Sequence, residues 1–88
     1  MKVIFSERSR TYGYFIWTKS FDFEFKKIIN GVTNPEIFFD GVSIGTKHID
    51  WKFRRISLGY SHTRDLPRSI KYLELKMNED GTISISPK

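Results

Sequence analysis

The sequence predicts a mainly β domain, a small barrel of five to seven short strands with one short inserted helix. Three observations carry this expectation. Short runs of alternating apolar and polar residues recur along the chain, separated by Gly, Pro, Asn and Asp. The longest run, His48 to Tyr60, changes the phase of its alternation part-way, as a strongly curved strand does. Aromatic residues make up 16% of the 88 residues against a hydrophobic total of 39%, so rings must carry much of a core of single-domain size.

Residues 2–6 and 11–18 read as two strands around the polar turn Glu7-Arg8-Ser9-Arg10. In the second strand Tyr12, Tyr14 and Ile16 share one face, and Phe15 and Trp17 share the other. With both faces apolar, the strand is either buried on both sides or open for binding on one. Tyrosine suits the open face, because its hydroxyl tolerates water and bonds to polar ligands. Phe15 and Trp17 are therefore expected inside, with Tyr12 and Tyr14 outside. The competing arrangement lays both tyrosines beneath the segment 18–35. Gly13 between them leaves room for a ligand or a neighbouring ring.

Residues 20–31 fit two patterns. Phe21, Phe23 and Phe25 alternate like a strand. Ser20 as a cap, Asp22 and Glu24 in a first turn, Lys26 and Lys27 near the end and Gly31 just beyond favour a short helix. Asn34-Pro35 breaks the chain, and Glu36 to Ile44 carries a further strand. Beyond it Ile49, Trp51 and Phe53 alternate with Asp50, Lys52 and Arg54, whereas Ile56, Leu58 and Tyr60 have the other parity. A bulge at Arg54-Arg55 restores one apolar face and turns both arginines outward; a strand bent enough to feed two sides of a barrel is the alternative. Ser61 to Arg68 is a polar loop. Ile70 to Met77 and Thr82 to Ser86 form a hairpin around Asp80-Gly81, a type I′ signal, leaving an edge near Ile83 and Ile85 that a second copy could pair with. Residues 1–88 thus make one domain, with 18–35 an insertion and 78–88 an added hairpin strand.

The formal net charge of +5 is concentrated. Lys47 to Lys71 holds seven bases and two acids, while the rest of the chain holds eight of each. Such a surplus predicts a basic face for a polyanion, or a solvated surface that keeps the protein soluble. The absence of cysteine excludes disulfides and thiolate metal sites and suits a cytoplasmic protein. Only Val3-Ile4-Phe5 is apolar after Met1-Lys2, so no signal peptide is expected, and no run approaches a membrane span.

Catalytic and metal chemistry find little support. His48 and Asp50 lie two apart and His62 and Asp65 sit in the polar loop, a spacing diagnostic of no metal. No serine has a nucleophile motif around it, and no glycine-rich phosphate loop is present. Neither enzymatic activity, a metal nor a cofactor is expected.

Three segments in order resemble the cold-shock domain, a small oligonucleotide-binding (OB-fold) barrel. Val3-Ile4-Phe5-Ser6 stands where that family's first strand ends in aromatics. "RTYGYF" (Arg10 to Phe15) stands at its Lys-Gly-aromatic-Gly-aromatic-Ile segment, and "EIFFDGVSI" (Glu36 to Ile44) at its Val-Phe-Val-His-Phe segment. The resemblance implies an OB-like, cold-shock-like barrel that binds single-stranded RNA or DNA. It implies base stacking by Phe5, Tyr12, Tyr14 and Phe38, with Arg10 on the backbone. The chain departs from the family at Ile4, where a tryptophan is usual, at Thr11, and at Asp40 and Gly41, where a histidine and an aromatic are usual. Asp40-Gly41 is itself a hairpin signal, and a reversal there makes the third match accidental.

The physics of such a site stands apart from the family. A base stacked on an exposed ring gains about 1–3 kcal/mol with little sequence preference. Cations beside the rings hold phosphates and make affinity fall with salt. Lys52, Arg54 and Arg55 join Arg10 as the expected phosphate contacts. The rival function is a protein-interaction or inhibitor module, of the kind phages and mobile elements encode, using the same barrel against a protein partner. The altered third segment and the long insertion motivate it.

Overall fold

Ser6 and Gly13 decide the first departure from these expectations. In a computed structural model describing residues 1–88, a strand β1 (Lys2–Ile4) leads into a helix α1 (Glu7–Tyr12), where a polar turn and the start of a strand were expected. The Ser6 hydroxyl accepts from the Ser9 backbone N–H at 3.1 Å, capping the helix. Gly13 ends it at φ 75°, its N–H donating to the Ser9 carbonyl. The helix has no apolar stripe; its buried residues are Ser9 and Arg10, so hydrophobic periodicity could not reveal it.

Then follow β2 (Tyr14–Ile16), a 3₁₀ turn at Lys19–Phe21 and α2 (Asp22–Ile29). The helical reading of 20–31 holds, with a different start. Ser20 bonds to the Thr18 hydroxyl within the 3₁₀ turn, and α2 ends at Asn30 in the left-handed region. Phe25 and Ile29 form its buried face. Phe25 packs on Phe15 and Trp17, with ring centroids 6.3 and 4.4 Å apart, so the insertion covers the face of β2 expected inside.

The next strands are β3 (Glu36–Phe39), β4 (Val42–Thr46), β5 (Ile49–Asp50) and β6 (Arg55–Ser57). β3 and β4 form a hairpin across Asp40 (φ 52°) and Gly41 (φ 84°), a type I′ turn. "EIFFDGVSI" therefore reverses direction at its centre. The phase change in 48–60 is also a reversal, neither a bulge nor a bend. Ile49 pairs with Ile56 and Asp50 with Arg55, while Trp51 to Arg54 form the loop, closed by Arg54 at φ 53°. A hairpin loop of even length changes which parity faces inward, so alternation alone mimics a bulge.

A short helix α3 (Tyr60–Thr63) and the strands β7 (Tyr72–Met77) and β8 (Ile83–Pro87) complete the chain. β7 and β8 form the hairpin expected from the sequence, with Met77 paired to Ile83. Its turn is a bonded β-turn over Asn78 to Gly81 in which glycine alone takes positive φ, in place of type I′.

The eight strands form two sheets, ordered β1-β7-β8-β3-β4 and β2-β6-β5. The fold is mainly β, but the sheets do not close into a barrel: β1 and β4 edge one, β2 and β5 the other. β8 lies between β7 and β3, parallel to β3, so Ile83 and Ile85 are fully buried and are not an edge. The core between the layers gathers Val3, Phe15, Trp17, Phe25, Ile37, Ile56 and Leu73 among its 15 residues. No helix is long and apolar enough to cross a membrane.

Candidate nucleic-acid interface

The outward side of the small sheet carries a row of rings and cations. Tyr12 ends α1 and Tyr14 begins β2, so the turn at Gly13 sets their rings side by side, 6.5 Å apart and inclined by 30°. Tyr12 is 61% exposed and Tyr14 partly exposed, while Phe15 and Trp17 point into the core at 0% and 2%. The partition expected from residue chemistry is the one observed, although Tyr12 sits on a helix and not on the strand.

Arg55 continues the row. It opens β6, the strand paired with β2, and its guanidinium lies 4.5 Å from the Tyr14 ring centroid and 4.8 Å from that of Phe53. Lys52 ends the row, its Nζ 5.4 Å from the Phe53 ring. Each exposed cation–ring contact is worth about 0.5–1 kcal/mol, so both rings favour the guanidinium staying near them. The Arg55 guanidinium donates no hydrogen bond within the protein; Asp50 lies 3.6 Å from its Nε, a loose ion pair.

Phe53 was assigned from the sequence to a buried face with Ile49 and Trp51. The hairpin loop swings it out to 57% exposure and leaves Trp51 half-buried against Trp17 and Phe25. The Asp50 carboxylate accepts from the Phe53 N–H at 3.1 Å, and an aspartate just ahead of the phase change at Arg54 is the signal that marks such a loop. Tyr60, 53% exposed with Arg64 4.9 Å from its ring, adds a second ring–cation pair, and its backbone packs against Gly13.

Four expected contacts fall outside this row. Phe5 is 8% exposed, in the core, with the Arg10 guanidinium 4.9 Å from its ring. Arg10 is itself buried and donates to the carbonyls of Arg64, Leu66 and Pro67, tying α1 to the loop after α3 away from the exposed row. Phe38 is half-buried in β3 of the other sheet. Arg54 turns back onto α2, where Nε and Nη2 grip both oxygens of Asp22 at 2.9–3.1 Å. Of the expected stacking and phosphate residues, the structure brings together Tyr12, Tyr14, Lys52 and Arg55. His48 and Asp50 stand beside the row, whereas His62 packs edge-on to Phe39 at 6.3 Å.

The Arg54–Asp22 pair is structural and pH-sensitive. Arg54's hydrogen bonds hold the Asp22 carboxyl below the usual carboxylate range; the Trp17 indole N–H adds to this, and desolvation opposes it. A depressed folded-state pKa gives stability that is present at neutral pH and lost as acid titrates the carboxylate through that lowered value. Thermal midpoints are therefore expected to fall below about pH 4. Asp22→Asn, which keeps an acceptor for Trp17, should flatten part of that limb, and Asp80, lowered by Thr82, accounts for another part. An acid limb unchanged by Asp22→Asn would contradict this assignment.

Comparisons with family models, curated proteins and solved structures return no match.

Proposed function

We propose that this domain binds single-stranded RNA or DNA in the cytoplasm, with bases stacking on Tyr14, Tyr12 and Phe53 and with Arg55 and Lys52 drawing in the phosphates. The observation that carries the reading is the Arg55 guanidinium held between the rings of Tyr14 and Phe53 with its hydrogen-bond donors uncommitted. Alternating rings and cations in one exposed row match the two needs of an unpaired strand, flat faces for bases and positive charge for the backbone. An arginine used only for stability would carry internal acceptors, as Arg10 and Arg54 do.

Titration of a labelled pyrimidine oligonucleotide tests this. Binding should appear below about 100 μM at low salt, with a log–log salt slope of about −1.4 if two cations meet phosphates. Binding that ignores salt, or none in that range, would remove the reading.

A second reading, an interaction or inhibitor module for a protein partner, is favoured by one observation. Several arginines of the basic stretch are already paired, Arg54 with Asp22, Arg64 with Asp65 and Arg68 with Glu7, which lowers the charge available to a polyanion. Exposed tyrosine and arginine also suit protein hot spots. A partner retained on the immobilised domain after nuclease treatment, and lost on Tyr14→Ala, would favour it.

A further inference from the structure

Beside the ring row lies a recess of about 200 Å³ lined by Tyr14, His48, Asp50, Arg55 and Ser57. Its volume suits one nucleobase. Its lining brings an acceptor and a donor together, Asp50 and Arg55. Asp50 Oδ1 is engaged by the Phe53 N–H, but Oδ2 has no hydrogen-bond partner and lies 3.6 Å from Arg55 Nε. Both side chains are about one-third exposed, at 31% and 32%, so each is anchored yet reachable.

Resting on the single-strand reading above, we infer that this recess selects guanine. Asp50 closes the hairpin loop and pairs loosely with Arg55, yet its Oδ2 keeps acceptor capacity that the donors of a base can use. Guanine alone presents two adjacent donors, N1–H and N2–H, next to an acceptor, O6, along one edge. Asp50 accepts the two donors, Arg55 donates to O6, and the base lies beside the Tyr14 ring, one face of which the Arg55 guanidinium already covers. Cytosine and adenine offer the carboxylate one amino group each, and thymine or uracil one imide N–H between two carbonyls that face it unfavourably. Recognition of an unstacked base along its pairing edge, with a ring beneath it, is how single strands are read. The remaining edge of Arg55 stays free for the backbone.

Anisotropy titrations of the intact domain with TTGTT, TTATT, TTCTT and TTTTT test the inference. TTGTT should bind about 10-fold or more tightly than the others, the discrimination a good bidentate pair provides. Asp50→Asn, which keeps the Oδ1 acceptor for Phe53, should bring TTGTT down to the affinity of TTTTT, and Arg55→Lys should shrink the same ratio. Equal affinity for all four strands, or a guanine preference that survives Asp50→Asn, overturns this inference and leaves the stacking surface standing. No binding by any of the four overturns both.

Discussion

Gly13→Ala is expected to destabilise the fold by about 3 kcal/mol or more, the sum of a left-handed backbone strain and an overpacked contact. At φ 75° any side chain is strained, and a Cβ there would overlap the backbone N and Cα of Tyr60 and the carbonyl carbon of Gly59. The Gly13 carbonyl also accepts from the N–H groups of Leu58 and Gly59 at 2.6 and 3.1 Å, so this residue joins α1, β2 and the approach to α3. The close approach expected of Gly13 is thus made by the protein's own backbone, not by a ligand. Gly31→Ala separates the two contributions, since Gly31 has φ 86° but nothing within 4 Å. It should cost only about 1 kcal/mol. Urea unfolding of both variants checks this, and equal losses would mean that the crowding at Gly13 is not felt.

Tyr14→Ala and Phe53→Ala are each expected to weaken oligonucleotide binding by about 1–3 kcal/mol, with unfolding midpoints little changed. Neither ring belongs to the buried core, whereas Phe15 and Trp17, the near neighbours of Tyr14 in sequence, do. The two effects should not add. Both rings steady the same guanidinium, so the first removal already loosens Arg55, and a double-mutant cycle should return a coupling of about 0.5 kcal/mol or more. Additive losses would mean that the rings act as separate platforms. A Tyr14→Ala protein that unfolds would place that ring in the core.

Much of this surface could be read from the residues themselves. Tyrosines beside Phe15 and Trp17 announced a wet and a dry side, because a phenol can stay hydrated and a phenyl or indole face gains more from burial. The order of acids and bases along 22–29 pointed to α2, although Ser20 does not cap it, and Asp80-Gly81 pointed to the β7–β8 hairpin; the reversal at Asp40-Gly41 was legible only as an alternative to one continuous strand. The failures share a physical cause. α1 is held by Ser6, Gly13 and the buried Arg10, none of which leaves a hydrophobic period. The phase change at Arg54 was consistent with three backbone geometries, and only the pairing of Ile49 with Ile56 distinguishes them. Barrel closure was expected from local signals, yet the sheets are decided by long-range pairings such as β3 with β8, which no short window encodes. Arg10 and Arg54 illustrate the same limit for the site. An arginine reads as a surface cation until its acceptors, here three carbonyls and one carboxylate, are brought to it by the fold.

The most direct measurement is the response of aromatic ring protons to an added oligothymidylate, followed by NMR on the intact domain. Stacked bases shift the ring protons beneath them upfield, so those of Tyr12, Tyr14 and Phe53 should move together and saturate with one affinity, while those of the buried Phe5 stay in place. Saturable binding that leaves these three rings unmoved would contradict the account.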